Sequence, residues 1–195
     1  MTVPPVSSNR KLLGKQVEVY DLKQNPPEHV QHALFDFDGT LSLIRGGWQD
    51  VMVSQFVSVL KTTNTAETDS QFRDVCRKFI TQRTGQQTIY QMLQLEEEMH
   101  KRGGNCDSAA IYKKQYLDLL DGHIKKRIES LRHKPQNKEC YMIRGAELLL
   151  ARLRRAGVIC YLASGTDHHY VVQETELLGL TSYFEGDDEL RIYGA

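Results

Sequence analysis

The chain lacks a charge surplus of either sign: its 195 residues hold 25 Lys plus Arg against 25 Asp plus Glu. A nucleic-acid or membrane-surface protein carries a basic excess, so neither partner is expected. The most basic stretch, His123 to Lys134, reads as a solvated helix face. Cysteine is scarce, with four residues at 76, 106, 140 and 160. None forms a CxxC pair, and no histidine stands at zinc-ligand spacing from them, which argues against a zinc or redox centre. Reduced thiols of a cytoplasmic protein are the expectation. No apolar run is long enough to span a bilayer, and Met1 to Lys15 has no continuous apolar core of the secretory kind. Repeats and low-complexity tracts are absent as well. Nothing in the sequence fixes an oligomeric state.

What is present is concentrated at Asp36-Phe37-Asp38-Gly39-Thr40, directly after the apolar run Ala33-Leu34-Phe35. Asp36 and Asp38 would point the same way along an unbroken strand. Gly39 lets the chain turn there, so the two acids can diverge around one point. Two carboxylates with different tasks at one spot suit a hard cation, a nucleophile and an acid/base.

Around this motif the chain changes character twice. Met1 to Gln16 reads as a loose tail, Val17 to Tyr20 as a short strand, and Asn25-Pro26-Pro27-Glu28 as a turn. Ala33 to Phe37 reads as a buried parallel strand. From Trp48 to about Lys134 apolar residues recur at helical spacing, predicting some four helices broken at Thr62 to Thr65, Thr84-Gly85 and Gly103 to Asn105. After Pro135 the pattern is α/β again. A helix opens at Arg144-Gly145-Ala146 and closes at Gly157. A second buried strand, Val158 to Ala163, ends in Ser164-Gly165-Thr166-Asp167, and a further helix runs to Leu178. In open α/β sheets, ligands sit beyond the carboxyl ends of strands. The Asp36 and Ser164 loops both lie at such ends. The hydroxyls of Ser164 and Thr166, with the Gly165 and Thr166 N–H groups at a helix start, suit an anion such as phosphate.

Those residues carry a resemblance. Phe35-Asp36-Phe37-Asp38-Gly39-Thr40-Leu41 resembles the first motif of the haloacid dehalogenase superfamily, and Leu162-Ala163-Ser164-Gly165-Thr166 resembles its second. Arg144 to Leu149 with Gly157 resembles the return to the core after a helical cap. The resemblance implies a Rossmann-like α/β core with a parallel sheet, incomplete at the C-terminus, and an inserted all-helical C1-type cap. The divisions it suggests are a tail over 1–30, core over 31–44 and 143–195, and cap over 45–142. It implies a magnesium-dependent phosphatase acting on a small phosphorylated metabolite. Asp36 would be the nucleophile and Asp38 the acid/base. Magnesium would bind Asp36 and Asp38. Gly39, Thr40, Ser164, Gly165, Thr166 and Arg45 would contact phosphate or substrate. A phosphomutase of the same superfamily, or a non-catalytic phospho-ligand-binding fragment, are the alternatives.

The chain also departs from that pattern. Downstream of Thr166 there is no lysine to serve as a third motif. Gly186-Asp187-Asp188 imitates a fourth motif without an apolar strand before it, since Thr181 to Glu185 is a poor buried strand. A C-terminally truncated chain is therefore expected. Secondary candidates are a hinge at Gly46-Gly47 with Arg45 or Trp48 reaching the substrate, and the polar loop Thr84 to Thr88. His168 and His169 read as exposed residues of a first helical turn. Met92 and Met99 read as core; Asp50 and Glu96 to Glu98 read as solvated helix surface.

Overall fold

The computed structural model describes residues 11–13, 17–19, 30–187 and 189–195. The chain divides into two compact units, Met1–Gln31 and His32–Ala195. In the first, β1 (Lys11–Leu13) pairs antiparallel with β2 (Val17–Val19), Lys11 opposite Val19. The strand expected near Val17 is therefore present. Lys11–Leu13, expected to belong to a loose tail, is a strand that finds its backbone partners in β2. The turn expected at Asn25 to Glu28 lies outside the described residues, as do Tyr20 and Asp188.

The second unit is built on a three-stranded parallel sheet in the order β3 (His32–Phe35), β4 (Ile159–Ala163), β5 (Ile192–Tyr193). Registers run Ala33 to Cys160, Phe35 to Leu162, and Leu162 to Ile192. Paired residues share a face, so Ala33, Phe35, Cys160, Leu162 and Ile192 form one layer. That layer packs into the core, where Leu162 and Ile192 are buried and Phe35 meets the Phe184 ring edge-on. On the opposite face Leu34 is 71% exposed and Tyr193 is also exposed. The apolar runs predicted strands buried on both faces; among the described residues only one face is covered. The burial alternates with period two, and continuous hydrophobicity overstated it.

After β3 the segment from Trp48 to His133 forms four helices, as the spacing predicts: α1 (Trp48–Leu60), α2 (Asp69–Gln82), α3 (Thr88–Lys101) and α4 (Ala109–His133). Their inward faces carry Phe56, Leu60, Phe79, Met92, Leu95, Met99 and Leu120, all buried. Thr68 opens α2 with a reciprocal capping box: its Oγ1 accepts from Gln71 N, and Gln71 Oε1 accepts from Thr68 N at 2.7 Å. This satisfies two end donors that would otherwise go unpaired. Glu96 and Glu98 are not simply solvated. Glu96 accepts from Ala109 N at the start of α4, and Glu98 pairs with Arg102 at 2.6 Å.

The chain returns through a 3₁₀ segment, Pro135–Tyr141, into α5 (Ala146–Arg155), and after β4 into α6 (His168–Leu177). Thr181–Phe184, a poor strand by sequence, is a second 3₁₀ turn that places Phe184 in the core. The segments leading into and out of the four helices are paired with one another. Leu43 N donates to Tyr141 O at 2.8 Å and Ile143 N to Leu41 O at 3.0 Å. Arg127 of α4, read as part of a solvated face, instead donates to the carbonyls of Ile44 and Gly46, each at 2.7 Å. Gly47 sits at φ +88° with His123 Nε2 only 3.0 Å from where a Cβ would lie, so a side chain there would be both strained and obstructed. No helix among the described residues is long and apolar enough to cross a membrane.

Candidate active site

The parallel register brings the two strand tips together. Phe35 is level with Leu162 on the neighbouring strand, so Asp36 leaves β3 beside the point where Ser164 leaves β4. Beyond Asp36 the chain folds back: Leu41 N and Ser42 N both donate to Phe37 O at 2.9 Å, and Gly39, at φ +82°, makes the reversal. Phe37 is wholly buried and anchors the loop. The two acids are thereby separated in environment. Asp36 is exposed and accepts from Thr40 Oγ1 at 2.9 Å. Asp38 Oδ2 accepts from Thr166 Oγ1 at 2.8 Å and, at the long distance of 3.5 Å, from Ser164 Oγ. Asp38 Oδ1 is buried with no partner among the described residues.

Burial pushes the Asp38 carboxyl above its ordinary range, and the Arg45 charge and the Thr166 hydrogen bond only partly oppose this. A carboxyl whose affinity for its proton is raised by burial stands next to one open to the cavity, which is the division of labour that acid/base and nucleophilic roles require.

Asp36, Asp38, Ser164, Gly165 and Thr166 line one cavity of about 300 Å³. Arg45 and Trp48 line it too, as do Thr84, Gly85, Gln86 and Thr88 of the polar loop. Gly39 and Thr40 are not on its wall; Thr40 acts on Asp36 through its hydroxyl instead. The expected anion cradle is partly spent internally, because Thr166 N donates to Ser164 Oγ at 3.1 Å. His168 and His169 are exposed and off the cavity wall, as their positions predict, and Asp187 is exposed and off it as well.

The loop from the helical insertion lies directly on the β4 loop. A Cβ on Gly165 would fall 2.5 Å from Gln86 O, so only glycine permits this approach. Lys113 of α4 pairs with Asp167 at 2.5 Å at the rim. Thr88 is the first residue of α3, but Gln87 caps the helix without a side-chain bond.

Arg45 was expected to meet the substrate. It reaches the cavity, but its Nε donates to Glu174 Oε1 at 2.9 Å, its Nη2 lies 2.7 Å from the same oxygen without hydrogen-bonding to it, and its guanidinium lies 4.8 Å over the Tyr170 ring. Arg45 and Glu174 are 5% and 2% exposed, an ion pair withdrawn from solvent. Burial raises the Glu174 carboxyl to about 7 against the pull of Arg45. Glu174 escaped the sequence reading. It stands on the buried stripe of α6 with Val171, Thr175 and Leu178, and an acid on such a stripe requires a cationic partner.

The oxygen donors suit a hydrated divalent cation of the magnesium type. Such ions take one or two carboxylates and keep several waters and substrate oxygens. The Asp36 carboxylate faces the cavity, and the Asp38 carbonyl accepts no hydrogen bond among the described residues. No cluster of three or more acidic, histidine or cysteine side chains able to hold a metal occurs among them.

No protein-family model and no curated protein matches the chain. Solved structures do. The chain is similar to an inferred β-phosphoglucomutase from Thermotoga maritima (14% identity, TM-score 0.42), over 85% of this chain and 61% of that one. It is similar to an inferred haloacid dehalogenase-like hydrolase from Bacteroides fragilis (19%, 0.42), over 85% and 63%. A HAD family hydrolase from Deinococcus radiodurans R1, with bound phosphate and sodium, matches at 19% and 0.40, over 85% and 58%. The chain thus spans about three fifths of the length of the solved structures it matches.

Proposed function

We propose that the protein is a phosphomonoester hydrolase working through Asp36. The reading rests on one observation: a partly buried acid, its pKa raised by that burial, and an exposed carboxylate, from one strand tip, share a cavity with the Ser164 loop of the next strand. A carboxylate oxygen of Asp36 attacks phosphorus, and the bond from phosphorus to the leaving oxygen breaks. Asp38 passes its proton to that oxygen. Water then attacks the aspartyl-phosphate at phosphorus, giving a proton to Asp38 and releasing inorganic phosphate and the Asp36 carboxylate. Magnesium, held by the Asp36 carboxylate and the Asp38 carbonyl, would offset the charge of the phosphoryl oxygens. The Ser164 and Gly165 positions hold the phosphoryl group, and the insertion seated on Gly165 keeps bulk water out. Domain limits at 45 and 142, and a cytoplasmic setting consistent with four free cysteines, belong to the same proposal.

The test is hydrolysis of an aryl phosphate with magnesium. Asp36→Asn is expected to lower turnover by roughly a thousandfold or more. Undiminished turnover would remove the nucleophile from this scheme.

A further inference from the structure

The cavity has two unlike walls. The β3 and β4 loops contribute Asp36, Asp38 and Asp167, and Arg45 stands at the base of the helical insertion. The rest of the insertion contributes Trp48, Gln49, Gln86, Thr88, Gln91 and Tyr116, together with apolar Met52, Leu117 and Leu120. Among the described residues, that second wall holds no ionised side chain. Three cations around the cavity are engaged with other partners: Arg45 with Glu174, Lys113 with Asp167, and Arg83 with Gln94.

A phosphate ester enters with its phosphorus at Asp36, so its alcohol portion must meet the neutral wall. A carboxylate or second phosphate there would lose its water and gain no counter-charge, and would bind more weakly for it. Hydroxyl groups would fare differently. Glutamine and threonine side chains both donate and accept. Gln91 is 3% exposed, its Nε2 donates to Arg83 O at 2.8 Å, and its Oε1 has no partner. Trp48 and the aliphatic residues offer surface to C–H faces. A cavity of about 300 Å³ matches the small end of ligand sites.

From this, and resting on the phosphatase reading, we infer that the substrate is the monophosphate of a small uncharged polyhydroxy alcohol, such as a polyol or sugar, and not a phosphocarboxylate or a bisphosphate.

The experiment is calorimetric titration of the Asp36→Asn protein with magnesium chloride present, so that affinity is read without turnover. The ligands are inorganic phosphate, glycerol phosphate, sorbitol 6-phosphate, phosphoglycolate and a hexose bisphosphate. Polyol monophosphates are expected to bind at least about tenfold more tightly than phosphoglycolate or the bisphosphate, the difference one unmatched charge produces. Phosphoglycolate or bisphosphate binding equally or better overturns the inference. Phosphate binding without any polyol preference overturns it too, yet leaves the phosphatase reading standing; loss of phosphate binding sinks both. Gln49 is exposed, so Gln49→Arg adds a cation to the neutral wall without disturbing the core. It is expected to shift the ratio several-fold toward phosphoglycolate. An unmoved ratio counts against the wall as the source of selectivity.

Discussion

The wall of the cavity made by the two strand tips and the wall made by the helices differ in how their polar groups are held. On the first, each group is tied down: Asp36 by Thr40, Asp38 by Thr166 and Ser164, Asp167 by Lys113. The second is neutral and touches the first closely at Gln86 against Gly165. Fixed charges suit a reaction whose requirements do not change with the substrate. A neutral, loop-borne wall suits discrimination among alcohols. The two walls should therefore respond differently to substitution.

The sharpest separation comes from Asp38→Asn. Without a proton donor, turnover of an alkyl phosphate is expected to fall by roughly 10²–10⁴, and that of an aryl phosphate, whose leaving oxygen needs less help, by far less. Equal losses on both would mean that Asp38 acts only in holding the loop. In the native protein alkyl-phosphate turnover should persist while Asp38 is protonated and decline as pH rises through its elevated pKa.

Glu174→Gln probes the support behind the charged wall. The folded Glu174 carboxyl is raised from 4.5 to about 7, so its protonated form favours folding. That contribution is complete below the unfolded value and is lost as pH rises through about 7, on the order of 3 kcal/mol across the window. Urea titrations between pH 4 and 8 should show a flatter stability profile in the variant; an unchanged slope would mean the pair does not titrate there.

Gly165→Ala attacks the contact between the walls. The added methyl meets Gln86 O at 2.5 Å, so the loop must retreat, and kcat/KM is expected to drop by up to about a hundredfold. A crystal structure with the Gln86 loop unmoved would contradict this. The smallest effect belongs to Thr68→Ala, which removes the capping box of α2 far from the cavity wall. It should cost about 1 kcal/mol in thermal or chemical denaturation and leave substrate ratios alone. A changed ratio would show that cap stability and selectivity are coupled.

The charged wall was largely legible in the sequence because its elements are local. Asp36, Asp38 and the Gly39 turn lie within four residues, and the Ser164 loop announces itself at the end of an apolar run. Four helices were readable from periodicity, since each buries an apolar stripe. Glu174 and Gln91 were not readable: each is one polar residue among several on its helix, and only tertiary packing decides which is buried. The 3₁₀ segments escaped as well, because Pro135 to Tyr141 and Thr181 to Phe184 lack the repeat length that gives a periodic signal. Arg45 was located correctly at the cavity, but its engagement with a residue 129 positions away has no local trace.

Leu41 and Leu43 on the way into the helices hydrogen-bond to Ile143 and Tyr141 on the way out, while Arg127 grips the carbonyls of Ile44 and Gly46 from above. Two strings would let a tethered body tumble, whereas a laced ribbon behaves like a strap, bending across its flat face and resisting shear and torsion. With Arg127 fastening the upper end, bending across the paired residues around Ser42 and Met142 is the motion these bonds should oppose least. Any parting of the two walls should thus trace a single arc, visible to paired spin labels as one changing distance with the others fixed.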